Sequence, residues 1–339
     1  MPKITFNASG KAIDAEEGTW MYDVCQDADA GVPFACKAGA CGTCATEVLD
    51  GIGNCGDAGA REVRTLTAHA LDPRHFRLPC LLEVGAGDVT FGAPVLGTKK
   101  AAAVATHEAV VESFRPLNLT VAEVRFYVES AKFEFKPGQY MIFHVPGDGK
   151  TVHRSYSIST PPSDRSHFEV CVRAVSGGFG SNFMHRLRPG MKLKVEGPVG
   201  EFVLREDSTK DIVMVATGTG IAPIRSMLMH MLDTHSRRKV RLFFGLRHES
   251  DLFYGDLFRG LAAHYPEFEY HVVLSSPDPA RWAGESGRVT DLIEKHLTPE
   301  VAARSEAYLC GSAAMIESAK DALVAKGMAP GDVMHENFY

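Results

Sequence analysis

Apolar and polar residues alternate in two different ways along the chain, and the pattern changes near residue 206. Between residues 110 and 205, runs such as VVESF and FEVCVRAV alternate with a period of two and are separated by Gly and Pro turns, which predicts a small antiparallel barrel. After residue 210, continuous apolar runs such as DIVMVA (211–216) alternate with helical stretches such as IRSMLMHMLDTH (224–235) and DLFYGDLFRGLAAHY (251–265). Strands that alternate with helices predict right-handed crossovers and a parallel sheet.

The stretch GAPVLGTKKAAAVATHEA (92–109) interrupts the apolar alternation and mixes Gly, Pro, Lys and Ala, which is typical of a linker. We therefore expect three domains, over residues 1–97, 98–206 and 207–339. A chain of 339 residues with 45% apolar and 23% charged residues has room for them and the composition of a globular protein.

The sequence shows no membrane or secretion signal. No apolar run approaches the ~18 residues of a membrane span, and MPKITFNASG lacks the basic-then-apolar order of a signal peptide. Eight cysteines are too sparse for a disulfide scaffold at this length, and clustered thiols in a reducing compartment more often hold metal. We expect a cytoplasmic protein that does not bind a membrane.

The net charge of −6 lies entirely in the first predicted domain. Residues 1–97 contain 7 Lys and Arg against 13 Asp and Glu, whereas the remainder contains 29 of each kind. This asymmetry predicts a module whose acidic surface favours a basic docking partner and disfavours nucleic acid. The alternative is an acidic face that only maintains solubility.

The stretch CKAGACGTC (36–44) carries the strongest chemical signal. Cys36, Cys41 and Cys44 have the spacing C-x4-C-x2-C, and Cys80 follows Cys44 after 35 intervening residues. Structural zinc sites usually pair their ligands in two C-x2-C knuckles, whereas this spacing is that of a plant-type [2Fe–2S] cluster. Zinc remains the alternative.

Small residues fill the rest of this loop: Gly39, Ala40, Gly42 and Thr43. They let the backbone pass close to an inorganic core, so that its N–H groups can point at sulfur and stabilise negative charge. Cys25 and Cys55 lie off the pattern, and we expect them to be small buried apolar residues.

Residues 1–97 resemble a plant-type ferredoxin, including CGTC at 41–44. The resemblance implies an α+β β-grasp domain, and the order ferredoxin, antiparallel FAD barrel, parallel α/β NAD domain resembles the three-domain NADH-dependent ferredoxin reductases. These serve Rieske dioxygenases and soluble di-iron monooxygenases, and benzoate dioxygenase reductase is an example. One departure is LPCLLE around Cys80, where Leu81 replaces the family's usual polar residue and is expected to change the shielding of the cluster.

The string RSYSIST (154–160), with FKPGQY before it and VRAVSGGFGSNF and LKVEGPVGEF after it, resembles a ferredoxin reductase-type FAD domain. The resemblance implies that Tyr156 stacks on the isoalloxazine and that Ser157 reaches toward N5. It also implies FAD-binding roles at the pyrophosphate or near it, for Arg154, Ser155, Gly177, Gly178 and Ser181. FMN is the competing cofactor, and a plain barrel strand is the alternative interpretation of the string.

The segment VMVATGTGIAPIRSML (213–228) puts a glycine turn between a strand and a helix, which directs amide groups at an anion. It does not have the G-x-G-x-x-G pattern. It resembles instead the pyridine-nucleotide loop of the same reductases. By that resemblance the nucleotide-binding residues are Thr217, Gly218, Thr219, Gly220 and Pro223.

The segment YLCGSAAMI (308–316) follows a later parallel strand, at the edge where open α/β sheets bind ligands. The resemblance implies that Cys310 and Gly311 lie beside the nicotinamide, with a merely buried strand cysteine as the alternative. Ser275, Ser276 and Asp278 in VVLSSPDP (272–279), with no arginine before Arg281, favour NADH over NADPH. Arg247 and Arg281 could still contact a 2′-phosphate.

The chain ends with HENFY, where the resemblance implies that Glu336 and Phe338 close the flavin site. Tyr339 extends one residue beyond the pattern, so either aromatic residue could cover the flavin, and a frayed end without function is the alternative. Together with Ser157 and Cys310, Glu336 and Phe338 are the predicted catalytic residues.

The resulting hypothesis is an NADH:acceptor oxidoreductase in which electrons pass from NADH to FAD, to a [2Fe–2S] cluster and to an oxygenase component. A Rieske dioxygenase is the favoured partner. The alternative is that this chain is the reductase of a soluble di-iron monooxygenase. A further alternative is the cytoplasmic module of a quinone reductase, which is disfavoured because the ferredoxin module begins within a few residues of Met1. A non-catalytic carrier is the alternative from another class.

Overall fold

The computed structural model describes residues 1–39, 41–97, 104–130, 133–147 and 151–338, with the backbone alone for Phe338. The chain divides into two compact units. The first comprises Met1–Ala105 with His153–Ser155, and the second comprises Thr106–Val152 with Tyr156–Tyr339. The predicted barrel and α/β regions thus fall in one unit, and the domain boundaries after residues 97 and 206 stay predictions.

The first unit is a five-stranded mixed sheet with two helices. Its elements are β1 (Lys3–Phe6), β2 (Lys11–Asp14), α1 (Met21–Asp27), β3 (Thr46–Asp50), α2 (Ala60–Ala68), β4 (Phe76–Arg77) and β5 (Val89–Pro94), with 3-10 turns at Ile52–Cys55 and Pro79–Leu81. The strand order is β2-β1-β5-β3-β4, and only the β1–β5 pair is parallel among the described strands. Alternation in β1 buries Ile4 and Phe6, and Phe6 stacks on Phe91 of β5 with ring centroids 5.7 Å apart.

The second unit begins with a six-stranded sheet. Its elements are β6 (Thr106–Pro116), β7 (Val121–Val128), β8 (Tyr140–Pro146), β9 (Thr151–Ser157), β10 (His167–Arg173), α3 (Phe179–Met184) and β11 (Lys192–Val199). The order is β10-β7-β6-β11-β8-β9, and an antiparallel bridge between Ile158 and Val170 joins the end of β9 back to β10. This closure makes the predicted barrel, whose interior holds Phe126, Phe143 and Phe168.

The rest of the second unit is a parallel sheet between helices, as the sequence predicts. Its elements are β12 (Asp211–Thr217), α4 (Ile221–Asp233), β13 (Val240–Leu246), α5 (Gly255–His264), β14 (Phe268–Leu274), β15 (Glu285–Ser286), α6 (Val289–His296), α7 (Pro299–Ala303), β16 (Ser305–Ser312), α8 (Ala313–Ala325) and β17 (Val333–Phe338), with 3-10 turns at Gly218–Gly220, Glu249–Asp251 and Pro330–Asp332. The order is β15-β14-β13-β12-β16-β17, and every pair is parallel.

Two predicted segments differ from the structure. The helix expected over 251–265 begins only at Gly255, because Tyr254 has a positive φ of 57° and separates α5 from the 3-10 turn Glu249–Asp251. The linker expected over 92–109 is strand at both ends, since β5 reaches Pro94 and β6 begins at Thr106. Residues 98–103 in its middle lie outside the described ranges.

None of the helices in the described ranges combines the length and the apolar character that crossing a bilayer requires.

Candidate functional site

The four predicted cluster ligands converge in the first unit. The loop between α1 and β3 supplies Cys36, Cys41 and Cys44, and the turn Pro79–Leu81 supplies Cys80. Their sulfurs form two pairs, since the Sγ atoms of Cys36 and Cys41 are 3.3 Å apart and those of Cys44 and Cys80 are also 3.3 Å apart. Two pairs of thiols suit a [2Fe–2S] cluster, which needs two protein ligands on each iron.

Backbone amides and sulfur charge in this loop favour a bound cation. The N–H groups of Ala38 and Cys41 donate to Cys36 Sγ at 3.5 and 3.4 Å. A hydrogen bond from the Cys36 thiol lowers the pKa of Cys41 to about 5, while the same bond and burial raise the pKa of Cys36. The pKa of Cys80 is raised by its hydrogen bond to Cys44, by burial and by the neighbouring sulfurs. Four sulfurs this close cannot all ionise without positive charge between them, which bound iron would supply.

Two positions of the loop require glycine, because their backbone φ is positive and because side chains from other parts of the first unit pack against them. Gly39 and Gly42 have φ values of +70° and +71°. A Cβ atom on Gly39 would lie 2.3 Å from Leu81 Cδ1, and one on Gly42 would lie 2.7 Å from His69 Cδ2. Both positions therefore exclude a side chain. Ala40, the remaining small residue before Cys41, lies outside the described residues.

A buried ion pair, which sequence reasoning missed, fixes the strand that leads to Cys80. Arg77 Nη2 lies 2.9 Å from Glu62 Oε2, and both side chains are 3% exposed. Glu62 also accepts the Leu78 N–H at 2.7 Å, and Arg77 donates to the Cys55 and Gly56 carbonyls. The partners are 15 residues apart, on α2 and β4, so no periodic pattern connects them. Cys25 and Cys55 are buried in the core, as expected.

Three predicted catalytic residues meet in the second unit. Ser157, at the end of β9, is buried and donates to Glu336 Oε2 at 3.3 Å. Glu336 lies opposite Cys310 in the parallel pair of β17 and β16. Burial and the nearby charge of Glu336 raise the pKa of the Cys310 thiol. Phe338 ends β17, but its side chain and Tyr339 lie outside the described part of the chain. The choice between these two aromatic residues as the cover of the flavin therefore stays a prediction.

Three further predicted flavin residues precede Ser157 in β9. Tyr156 packs edge-on against Phe143 with ring centroids 5.5 Å apart. Arg154 and Ser155 are in β9, within the short segment grouped with the first unit, and Arg154 Nη1 donates to the His153 carbonyl at 2.7 Å.

The loop before α3 holds the remaining flavin candidates. Gly177 has a φ of +69°, and Gly178 precedes the first residue of α3. The Ser181 hydroxyl closes this loop, because it accepts the Val175 N–H at 3.1 Å and donates to the Gly178 carbonyl at 3.3 Å.

A cavity of about 510 Å³ lies at the carboxyl ends of the parallel strands. Its lining includes the predicted residues Thr217, Gly218, Thr219, Gly311, Ser275 and Arg247. Gly220 and Pro223 support it from behind: a Cβ atom on Gly220 would lie 2.2 Å from the Cys310 carbonyl oxygen, and Pro223 is buried in the first turn of α4. Cys310 is fully buried and is not among the described residues that line the cavity.

Two arginines of the cavity were missed by sequence reasoning. Arg173, at the end of barrel strand β10, and Arg288, just before α6, line the cavity together with Arg247. Three guanidinium groups around a strand-end cavity suit the phosphates of a dinucleotide. Arg173 comes from the barrel, so only the folded second unit reveals that it faces the same cavity.

A buried polar network connects the flavin strand to the nucleotide helix, and it too was missed. Arg225 of α4 donates to the Ser159 carbonyl at 3.1 Å and to Glu169 Oε2 at 2.8 Å. The Tyr254 hydroxyl donates a hydrogen bond to Glu123 of the barrel. The Arg225 guanidinium packs over the Tyr254 ring, with Cζ 4.9 Å from the ring centroid. The network therefore holds the residues that follow Ser157 against the helix that follows the glycine turn.

The fold and the two sites define a pyridine-nucleotide-dependent iron–sulfur flavoprotein. Family models match three successive parts of the chain: a 2Fe-2S iron-sulfur cluster binding domain at residues 4–84, an oxidoreductase FAD-binding domain at 108–204 and an oxidoreductase NAD-binding domain at 214–321. These matches confirm the predicted fold class and the predicted cofactors.

Known proteins give the same result over the whole chain. The reductase component of the naphthalene 1,2-dioxygenase/salicylate 5-hydroxylase systems of a Ralstonia species is 31% identical over 96% of this chain and 95% of its own. The reductase component of propane 2-monooxygenase from Mycolicibacterium goodii is 30% identical over 99% of this chain and 97% of its own. The crystal structure of an Amycolatopsis cytochrome P450 reductase superposes with a TM-score of 0.70 at 27% identity and covers 100% of this chain and 99% of its own.

The chain belongs to the family of three-domain ferredoxin reductases that act as reductase components of oxygenases. It is an oxidoreductase that moves electrons from a nicotinamide nucleotide toward an oxygenase, as the sequence predicts.

Proposed function

We propose that the ends of β9, β16 and β17 form the hydride-transfer site of an NADH-dependent reductase. The observation that carries this proposal is the Ser157–Glu336 hydrogen bond of 3.3 Å between residues 179 positions apart. It joins the flavin strand to the sheet edge that ends beside the nucleotide cavity. When bound, FAD accepts electrons in pairs from the nucleotide and releases them singly to the cluster, which is chemistry that no side chain supplies.

The side chains at this site would orient the bound flavin and nucleotide and shield them from water. Ser157 offers a neutral hydroxyl toward flavin N5, and Glu336 holds that hydroxyl in place by accepting its proton in a hydrogen bond. Cys310, which burial keeps protonated, would lie behind the cavity lining on the nicotinamide side. Tyr156 would stack on the isoalloxazine, and Phe338 at the end of β17 is the candidate to complete the flavin site. Gly177, Gly178 and Ser181 would hold the FAD pyrophosphate, and Arg154 and Ser155 keep the FAD-binding roles that the sequence predicts. The cluster would be held by Cys36, Cys41, Cys44 and Cys80.

The cavity wall supports NADH as the donor. Thr217, Gly218, Thr219 and Gly220 present the start of α4 to the nucleotide phosphates, and Arg173, Arg247 and Arg288 supply positive charge. Asp278, three residues after Ser275, and its neighbour Glu249 are acidic, although neither is among the described residues that line the cavity. Asp278 lies 3.7 Å from the Arg281 guanidinium, and Glu249 accepts the Asp278 N–H at 2.6 Å. These two carboxylates would repel a 2′-phosphate and tolerate a 2′-hydroxyl.

The partner is an oxygenase component, which in our proposal is a cytoplasmic Rieske dioxygenase that docks on the acidic first unit. A monooxygenase partner is the second candidate, because a propane 2-monooxygenase reductase at 30% identity is as similar as the dioxygenase relative at 31%. Exposed acidic residues such as Glu47, three positions after Cys44, would meet a basic surface around the oxygenase's own redox centre.

One reconstitution tests donor and partner together. The reductase is mixed anaerobically with a Rieske dioxygenase or a monooxygenase hydroxylase, and oxygenase reduction is followed with NADH or NADPH at rising salt. We expect NADH to be preferred by at least about tenfold in kcat/KM and delivery to the dioxygenase to fall with salt. Glu47→Lys should slow that delivery severalfold, whereas Asp256→Lys, an exposed change in the second unit, should not. Equal rates with both nucleotides, or delivery only to the hydroxylase, would overturn the corresponding part of the proposal.

A further inference from the structure

We propose that His271, Glu285 and His296 form a binding site for a divalent transition-metal ion such as Zn²⁺, apart from the redox centres. Each residue offers one ligand atom, and these atoms all lie within 4.8 Å of one another. The three residues come from β14, β15 and the last position of α6. They are partly buried, with 22% of the His271 side chain, 31% of Glu285 and 24% of His296 exposed. An ion can therefore enter from solvent.

An unsatisfied nitrogen points to a missing ligand in this cluster. His271 Nε2 is buried and has no hydrogen-bond partner among the described residues. The nearest carboxylate on its own strand, Glu269 Oε2, is 3.8 Å away, which is too far for a hydrogen bond. The ring stacks face to face on His296 with centroids 4.1 Å apart and an interplanar angle of 28°, so the two imidazoles are neighbours, but one ring must turn before both can point at one ion. Buried polar atoms without a partner are rare and need an explanation, and a metal ion provides one.

The ligand set has the chemistry of a nitrogen-preferring ion. Two imidazoles and one carboxylate bind Zn²⁺ in open sites that keep a position for water. Glu285 Oε1 lies 2.6 Å from His296 Nε2, and Lys295 Nζ holds the other carboxylate oxygen at 2.9 Å. Lys295 thus fixes the carboxylate from outside, and the carboxyl end of α6 adds partial negative charge that favours a cation.

Closing the site requires a short approach of the ligand atoms and a turn of one imidazole. Ligand atoms about 2.1 Å from a tetrahedral ion lie about 3.4 Å from one another. Starting from at most 4.8 Å, the three atoms need to approach by roughly an ångström. The stacked rings of His271 and His296 also have to separate by side-chain rotation so that both ring planes contain the ion. The ion would displace the hydrogen bond between Glu285 and His296.

A bound ion would join three elements next to the nucleotide cavity. Glu285 lies just before the turn that contains Gly287 and Arg288, which both line the cavity, and His296 ends the helix that follows this turn. Tying β14, β15 and α6 together would stiffen that wall. The proposal does not depend on the donor or on the partner oxygenase, because metal binding is measured without turnover.

The test is calorimetric titration of Zn²⁺ into tag-free, metal-stripped reductase that retains FAD and its cluster. We expect one ion per chain, with affinity weakened ten- to a hundredfold in His296→Gln and in His271→Gln, and a thermal midpoint that Zn²⁺ raises in the wild type and in the control variant but not in these two variants. His264→Gln is the matched control, since His264 is exposed on α5 and bonds only the Gly260 carbonyl among the described contacts. Absence of binding, or equal affinity in all four proteins, overturns the site, because zinc held by cysteine thiols would be unchanged by these substitutions.

Discussion

The cluster site and the flavin–nucleotide site are built in opposite ways. Three of the four cluster ligands lie within nine residues, and the loop that carries them is shaped by its own glycines. The proposed flavin–nucleotide site joins Ser157, Cys310 and Glu336, which come from three strand ends in a unit that begins at residue 106. The first is a local motif supported by one distant cysteine, and the second exists only when two sheets are folded. Substitutions should therefore damage the cluster site by removing a ligand, and the flavin–nucleotide site by misaligning the groups that its strands bring together.

The largest effect is expected from Cys41→Ser. Loss of one thiolate removes the cluster, so reduction of cytochrome c or another one-electron protein acceptor should fall to background, while NADH-dependent ferricyanide reduction, which needs only the flavin, should survive. Iron and acid-labile sulfide content and the two activities are measured on the same preparation. Cys25→Ala is the control, because this buried cysteine lies off the ligand pattern and should keep the cluster. Joint loss of both activities would show that the two sites are not separable.

This contrast explains how much could be read from the sequence. The cluster ligands could be predicted from their spacing, and the glycine turn from its place between a strand and a helix, although the nucleotide-binding role of that turn came from the resemblance to the reductase family. The alternation of strands and helices predicted a barrel followed by a parallel sheet, and β12 and α4 lie within three residues of the predicted segments at each end. Short elements without a repeating pattern, such as α7 and β15, were not predicted.

Ion pairs between residues distant in the chain could not be predicted from the sequence, for a physical reason. Glu62–Arg77 and Glu169–Arg225 join residues 15 and 56 positions apart, and each single residue has the appearance of an ordinary surface charge in the sequence. Only the packing of α2 on β4 and of α4 on the barrel buries them. The same holds for Arg173, which reaches the nucleotide cavity from the barrel. The roles of Ser181 and Cys310 stay predictions, since the structure gives Ser181 a partner within its own loop and leaves Cys310 behind the cavity lining.

The second prediction concerns the support of the cluster loop. Glu62→Gln keeps the size of the side chain but leaves the Arg77 guanidinium buried without its counter-charge, which costs about 3–5 kcal/mol in buried pairs. The midpoint of thermal unfolding followed by cluster absorbance should fall strongly, and the midpoint followed by flavin fluorescence should stay unchanged. Asp72→Asn, which breaks the exposed pair with Arg74 in the same unit, should alter neither. A parallel fall in both midpoints would mean that the two units unfold together.

The smallest effect is expected at the distributed site, from Ser157→Ala. The variant loses one hydroxyl of a buried side chain, so FAD should remain bound, while the rate of flavin reduction by NADH falls by about ten- to a hundredfold. Stopped-flow absorbance under anaerobic conditions measures that rate separately from cluster reduction. Ser163→Ala is the matched control, because it deletes a serine hydroxyl bonded to Asp233 of α4, away from the Ser157–Glu336 contact. Hydride transfer at full speed in Ser157→Ala would remove Ser157 from the reaction and leave its bond to Glu336 as a structural contact. A slow rate accompanied by loss of FAD would instead make it a binding residue. Only a slow rate with FAD retained supports the view that this site works by alignment.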